Sequence, residues 1–119
     1  KMKPEVVGGE FVFCTLSEDK LLKLDLKPIL TFKEKEGITV IIDKKSADNY
    51  FLKYENTWTM ITLNVHSDLN AIGFLATITK ELTKEGISVN IVSAYFHDHL
   101  FVNSDKTDKV MLILNSLSQ

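Results

Sequence analysis

Residues 57–86, TWTMITLNVHSDLNAIGFLATITKELTKEG, change their hydrophobic period partway along. Apolar and polar residues alternate over residues 60–65, which predicts a half-buried β-strand. From residue 70 onward, apolar residues recur at helical spacing, and Gly86 stands where a left-handed residue would end the helix. The stretch therefore predicts a strand, a polar turn and a helix.

The polar turn at residues 66–70 is where a ligand is expected. It offers three side chains that can cap a helix, Ser67, Asp68 and Asn70, although one suffices. The first helical turn also presents unpaired backbone N–H groups and the positive end of the helix dipole, which suit a carboxylate. Gly73 lies in that turn and costs stability relative to alanine, which indicates close approach of either a ligand or a neighbouring backbone.

The rest of the chain predicts the element order β-α-β-β-α in each half. We expect two units, a truncated one at residues 1–56 and a second at residues 57–119. Residues 1–9, with a proline and two glycines, are expected to form a loose lead-in. The other predicted elements are a strand at 10–16, a short helix capped by Ser17 or a loop at 17–27, hairpin strands at 29–33 and 38–43, a helix at 46–54 capped by Ser46, strands at 87–96 and 99–103, and a last helix capped by Ser104 or Asp105.

Apolar patterning also predicts what these elements bury. Helical spacing places Leu22 in the first short helix and Phe51 in the second on inward faces. The β-branched run at 38–42 is apolar on both faces, which predicts an inner strand. Asn64 and Asn90 fall on the sheet face away from the apolar residues, where they either meet solvent or contact a ligand.

Composition excludes several classes of partner. The 119 residues suit one compact domain or two small units, and their 45% apolar and 25% charged residues are typical of a folded globular protein. A net charge of −2 without a basic cluster predicts neither nucleic acid nor a membrane as partner. Cys14 is the only cysteine, which favours a reducing cytoplasm as the location of the protein. No apolar run reaches membrane-spanning length, and no secretory signal is visible.

The three histidines, His66, His97 and His99, all fall in the second half of the chain. Because two strands joined by a crossover helix run parallel, the end of the first strand shares a sheet edge with the tip of the following hairpin. Three imidazoles at that edge could bind a divalent metal, make structural hydrogen bonds, or contact an effector. The sequence contains no established metal spacing, nucleophile elbow, P-loop or dinucleotide fingerprint, so we expect no enzyme and no cofactor.

Several segments together resemble the ACT-domain superfamily, specifically small bacterial proteins with two ACT-like units. The resemblance covers nearly the whole chain and implies an α+β, ferredoxin-like fold, with two tandem units of antiparallel sheet and helices on one face. It also implies a regulatory protein that senses a small effector, commonly an amino acid, at the interface between two units. The matching segments are EFVFCT (10–15), TFKEKEGIT (31–39), ITLNVHS (61–67) with Gly73, GISVNIV (86–92) and YFHDHLFV (95–102).

Carried over to this sequence, the resemblance implies a ligand site in the turn after one strand and on the strand after the helix. A homodimer is the expected assembly, and a ligand-free interaction module is a further alternative. The second unit ends without a fourth strand, which either the other unit or a second chain would supply. The implied ligand-binding residues are His66, Ser67, Asp68, Leu69, Asn70, Ala71, Ile72, Gly73, Ser88, Val89, Asn90 and Ile91.

Overall fold

The computed structural model describes residues 3–64 and 72–118. The chain divides into two compact units. One is Gly9–Trp58, called the 9–58 unit below, and the other combines residues 3–8 with the described residues from Thr59 onward and is called the C-terminal unit. The boundary expected at residues 56 and 57 stays a prediction.

The 9–58 unit holds three strands and two short helices. They are the part of β1 (Pro4–Leu16) that follows Gly8, α1 (Glu18–Lys23), β2 (Leu30–Lys33), β3 (Ile38–Asp43) and α2 (Lys44–Asn49). Strand β3 pairs antiparallel with both neighbours, in the order β2-β3-β1, which confirms the predicted inner strand. The buried cluster consists of Val12, Cys14, Leu16, Val40, Ile42, Ala47 and Leu52.

Local signals explain how α1 and the β2–β3 hairpin form. The Ser17 side chain accepts a hydrogen bond from the backbone N–H of Lys20 at 3.1 Å, so the predicted capped helix forms rather than a loop. In the turn of the hairpin, the Glu34 N–H donates to the Gly37 carbonyl at 2.9 Å, and the flanking residues Lys33 and Ile38 are paired. The prediction that Leu22 is buried is wrong, because this side chain is exposed.

Helix α2 differs from its prediction at both ends. It begins at Lys44 after Asp43, which makes no side-chain cap bond, so Ser46 is not its cap. It ends at Asn49 because Phe51 adopts a left-handed φ of 55°. The backbone N–H groups of Phe51 and Leu52 then donate to the carbonyls of Asp48 and Ala47, which is the Schellman pattern of helix termination. Phe51 is consequently 92% exposed instead of buried.

The C-terminal unit contains the rest of the described elements. They are residues 4–8 of β1, β4 (Trp58–Leu63, from Thr59), α3 (Ile72–Lys84), β5 (Val89–Ser93), β6 (Asp98–Asn103), a 3₁₀ turn (Ser104–Lys106) and α4 (Thr107–Leu117). The strand order is β1-β4-β6-β5, and β5 pairs antiparallel with β6. Both helices pack on one face of the sheet, where the buried residues are Ile61, Leu63, Ile78, Leu82, Ile87, Leu100, Val102, Val110 and Leu114.

The N-terminal residues of the chain supply the fourth strand of this unit. The expected loose lead-in is therefore wrong, since β1 begins at Pro4. The backbone N–H of Asn64 donates to the Lys3 carbonyl at 3.2 Å. The Asn64 side chain adds a 2.9 Å bond to Glu5 Oε1. Pairing with a segment 61 residues distant could not be read from the local pattern, which contains only a proline and two glycines.

The sequence predicted the end of α3 correctly but not the start of α4. Gly86, with φ 70°, ends α3 as predicted: its N–H donates to Thr83, and the N–H of Ile87 donates to Leu82. The predicted cap of α4 by Ser104 or Asp105 is wrong, because a 3₁₀ turn precedes α4 and Lys106 holds the cap position without a side-chain bond. The Ser104 hydroxyl instead accepts from Thr59 Oγ1 at 3.3 Å.

Candidate functional site

Only part of the predicted ligand site lies within the described residues. His66, Ser67, Asp68, Leu69, Asn70 and Ala71 lie outside the described residues. Ile72 is the first residue of α3, and its side chain also lies outside the description. The site is therefore built from Gly73 and from residues 88–91.

Gly73 is exposed in the first turn of α3. Apart from its chain neighbours and the backbone of its own helix, no atom of the described residues comes within 4 Å of a Cβ added there. Its carbonyl accepts a hydrogen bond from Thr77 Oγ1 at 2.9 Å, an ordinary contact within the helix. No neighbouring backbone among the described residues therefore requires a glycine at this position.

Residues 88–91 form the beginning of β5, which is the last strand in the unit's order. Val89 and Ile91 are half-buried against the core and pair with Val102 and Leu100. Ser88 and Asn90 are exposed, so their polar groups are accessible. Within the described chain, one long edge of β5 has no neighbouring strand.

Within one unit, Gly73 and Ser88 of the predicted site lie at opposite ends of α3. Gly73 lies at the start of α3, whereas Ser88 follows its end by four residues. A helix of 13 residues is about 20 Å long, since each residue rises about 1.5 Å. Gly73 and Ser88 therefore stand about one helix length apart along α3, while Ile91 lies further along β5.

The β5 edge lacks the usual protection of an edge strand. Residues 87–97, ISVNIVSAYFH, contain no Lys, Arg, Asp or Glu and no proline, although 25% of the chain is charged. At the hairpin tip, Tyr95 and Phe96 are 93% and 73% exposed, with ring centroids 4.9 Å apart. Native edge strands are commonly blocked by lysine, proline or bulges, so this edge is chemically suited to pair with another strand.

His99 lies where the end of β4 meets the start of β6. Its Nδ1 is 2.9 Å from Thr62 Oγ1, which places these two strands side by side as the topology predicted. Burial lowers the pKa of His99, the neighbouring His97 lowers it further, and Asp98 opposes the change. The His97 and His99 rings are 6.2 Å apart, and no group of three potential metal ligands occurs within residues 3–64 and 72–118. The proposed third ligand, His66, lies outside that range.

Two polar features of the C-terminal unit were not singled out in the sequence. Thr107 Oγ1 donates to the buried Thr59 Oγ1 at 2.8 Å, which links β4 to the start of α4. The Asn103 Oδ1 atom is buried without a hydrogen-bond partner in the described part of the chain. Alternation alone could not reveal the threonine pair, because its members are 48 positions apart.

The 9–58 unit contains an open cavity of about 570 Å³ that sequence patterning missed. Residues 13–15 of β1 form one wall, and residues 52–55, which follow α2, form the other. Burial raises the pKa of the Cys14 thiol in the first wall, so this group is a poor nucleophile at neutral pH. A smaller cavity of about 350 Å³ lies beside Gly9 and the start of α2.

No helix among the described residues combines the length and apolar character needed to cross a bilayer. No curated protein matches the chain. A Vibrio cholerae protein of unknown function, VC0802, described as a possible transport protein, is 37% identical with a TM-score of 0.82, over 94% of this chain and 86% of that one. Protein Atu0741 from Agrobacterium tumefaciens shares the fold, with 15% identity and a TM-score of 0.77, over 98% of this chain and 88% of that one.

Two family models, each described as an ACT domain, match the chain in tandem. One matches residues 1–59 and the other residues 53–116. The C-terminal match covers more than half of the 119 residues and includes β4, α3, β5 and β6. This chain therefore belongs to the ACT domain family.

Proposed function

We propose that this protein is a non-enzymatic regulatory sensor that binds an amino acid, acting as a homodimer in the cytoplasm. ACT domains generally bind small effectors and often dimerise. The observation that carries the proposal is the position of Gly73 and Ser88 at opposite ends of α3. A second copy could bring Ser88 of one chain beside the partner's Gly73, which closes the site across the interface.

The β5 edge supports this assembly. Pairing β5 with the same strand of a second copy is self-complementary, as a two-fold interface requires. It would cover an edge without charge or proline and satisfy its backbone hydrogen-bonding groups. The start of β5 from one copy could then face the α3 start of its partner, where no described side chain crowds Gly73.

The exposed groups suit the two charged ends of an amino acid. The first turn of α3, a helix of 13 residues, directs N–H groups toward a bound carboxylate. The Asn90 amide and the Ser88 hydroxyl can both accept from an ammonium group. No described arrangement supplies a nucleophile with an adjacent base, so binding rather than turnover is the chemistry we propose.

Ligand binding is tested by thermal-shift and ¹H–¹⁵N NMR measurements against the protein amino acids. We expect one or a few of them to raise the melting temperature and to shift the amide signals of Gly73 and of residues 88–91. No stabilisation by any amino acid at millimolar concentration would argue for a ligand-free interaction module instead.

Dimer formation has its own test, the variant Asn90→Lys. Edge pairing would bring two introduced ammonium groups close together, and like charges on paired strands repel. Sedimentation velocity should therefore show a shift from dimer toward monomer. Asn115→Lys, the same change at an exposed position on α4, is the matched control and should remain dimeric. A wild-type protein that stays monomeric, or an Asn90→Lys variant that dimerises as strongly as wild type, would overturn the edge-pairing proposal.

A further inference from the structure

We propose that the 570 Å³ cavity of the 9–58 unit is a second binding site, which takes a small zwitterion with an apolar side chain. Its volume lies in the range of small-molecule sites, roughly 300–1,000 Å³. None of its residues belongs to the site proposed above, so the two proposals stand or fall separately. The cavity is lined by Phe13, Cys14, Thr15, Leu52, Lys53, Tyr54 and Glu55.

The apolar part of the cavity is continuous with the core. Cys14 and Leu52 are both buried members of the 9–58 cluster. Phe13 is held from the side by Trp58, whose ring centroid lies 5.5 Å away in an edge-to-face contact. The apolar side chain of a ligand would contact protein side chains whose positions are already fixed. Binding would therefore cost little conformational entropy.

The rim carries two opposite charges that no described group neutralises. Lys53 and Glu55 are exposed, line the same cavity, and make no ion pair or side-chain hydrogen bond with the described residues. Thr15 adds an exposed hydroxyl from the facing strand. An ammonium group and a carboxylate two residues apart, in a cavity that also has apolar lining residues, complement a molecule whose own carboxylate and ammonium sit at one end of an apolar body.

The wall that bears these charges is rigidly attached to the unit. The left-handed Phe51 turns the chain out of α2, and Leu52 N–H is bound to the Ala47 carbonyl at 2.9 Å. Tyr54 then donates to Asp48 Oδ1 at 2.7 Å, while Lys44 binds the other oxygen of that carboxylate at 2.7 Å. Leu52 and Tyr54 are thus held by hydrogen bonds on either side of Lys53, which fixes this part of the wall.

Three related probes test the charge complementarity: L-leucine, 4-methylpentanoate, which lacks the ammonium group, and isopentylamine, which lacks the carboxylate. Trp58 is the only tryptophan, so its fluorescence reports on the adjacent Phe13 wall. We expect L-leucine to change this fluorescence and to shift the amide signals of residues 13–15 and 52–55, and each analogue to bind about fivefold more weakly.

Two exposed-site variants separate the charges. Lys53→Gln should weaken L-leucine about fivefold and leave isopentylamine unchanged, whereas Glu55→Gln should weaken L-leucine and leave 4-methylpentanoate unchanged. Signals that shift only at Gly73 and residues 88–91 would overturn this second site while supporting the first. Equal binding of all three probes would overturn the zwitterion assignment, and no shift at residues 13–15 and 52–55 with any probe would overturn the cavity as a site.

Discussion

Replacing Gly73 with alanine separates the structural reason for this glycine from a functional one. Gly73 is helical, exposed, and without any described atom within 4 Å of an added Cβ. The alanine side chain therefore meets no obstacle among the described residues, and the substitution lowers the entropy of the unfolded chain. We expect Gly73→Ala to raise the free energy of unfolding by about 0.5 kcal/mol, because a first-turn position gains less than a helix interior.

Gly86→Ala is the matched control. An added Cβ at Gly86 also meets nothing within 4 Å, but its φ of 70° is left-handed. Alanine pays about 1–2 kcal/mol for that conformation, so this variant should lose about 1 kcal/mol of stability. The two substitutions are equal in size and in available space, and they differ only in backbone conformation.

Urea denaturation measures both effects, and melting temperatures should move by about 2 °C upward for Gly73→Ala and about 4 °C downward for Gly86→Ala. The decisive comparison is with ligand binding. If an effector approaches the start of α3, Gly73→Ala should be more stable than wild type yet lose its thermal response to the effector. A destabilised Gly73→Ala protein would contradict the reasoning, since it would show that a protein group occupies the space beside this glycine.

The other predictions concern a strained turn and two titrating groups. Phe51→Gly should raise stability by about 0.5–1 kcal/mol in urea denaturation, because glycine relieves a left-handed phenylalanine whose side chain is 92% exposed. An NMR titration should give a His99 pKa below 6.5, and His97→Gln should raise that pKa toward 6.5. Because the unfolded chain binds this proton at a higher pH than the folded chain does, the free energy of unfolding should fall as the pH drops from 6.5 through the folded pKa. His99→Gln should reduce this pH dependence. Hydrogen bonds from Lys44 and Tyr54 lower the pKa of Asp48. Its contribution to the free energy of unfolding is therefore present above pH 3.8 and is lost as the pH falls through the folded pKa. Acid denaturation curves of Asp48→Asn should lack this loss.

Element types followed from the sequence where neighbouring residues decide them. Ser17 caps α1 through a residue three positions away, and Gly86 ends α3 through bonds to residues within five positions. The β2–β3 hairpin likewise closes over a four-residue connection. Period, caps and turn glycines determined these elements, because the physical interactions that form them lie within the windows in which the patterns are read.

The ends of elements were predicted less well where side chains had distant partners. Ser104 is a good helix cap by type, but its hydroxyl is bound to Thr59, 45 residues earlier. Ser46 is also a suitable cap, yet α2 starts before it at Lys44, whose ammonium group binds Asp48 four residues later. Cap propensity is a preference of about 1 kcal/mol, which a competing hydrogen bond or ion pair can outweigh.

The sequence by itself determined a chain of two ACT-like units, the order of their elements, and the uncharged strand at residues 87–97. Only the tertiary structure decided that residues 4–8 join the C-terminal unit beside β4 and that residues 13–15 and 52–55 line an open cavity. The reason is physical: packing and backbone pairing between segments tens of residues apart set these arrangements. A local hydrophobic pattern does not specify which distant segments pair or in what register.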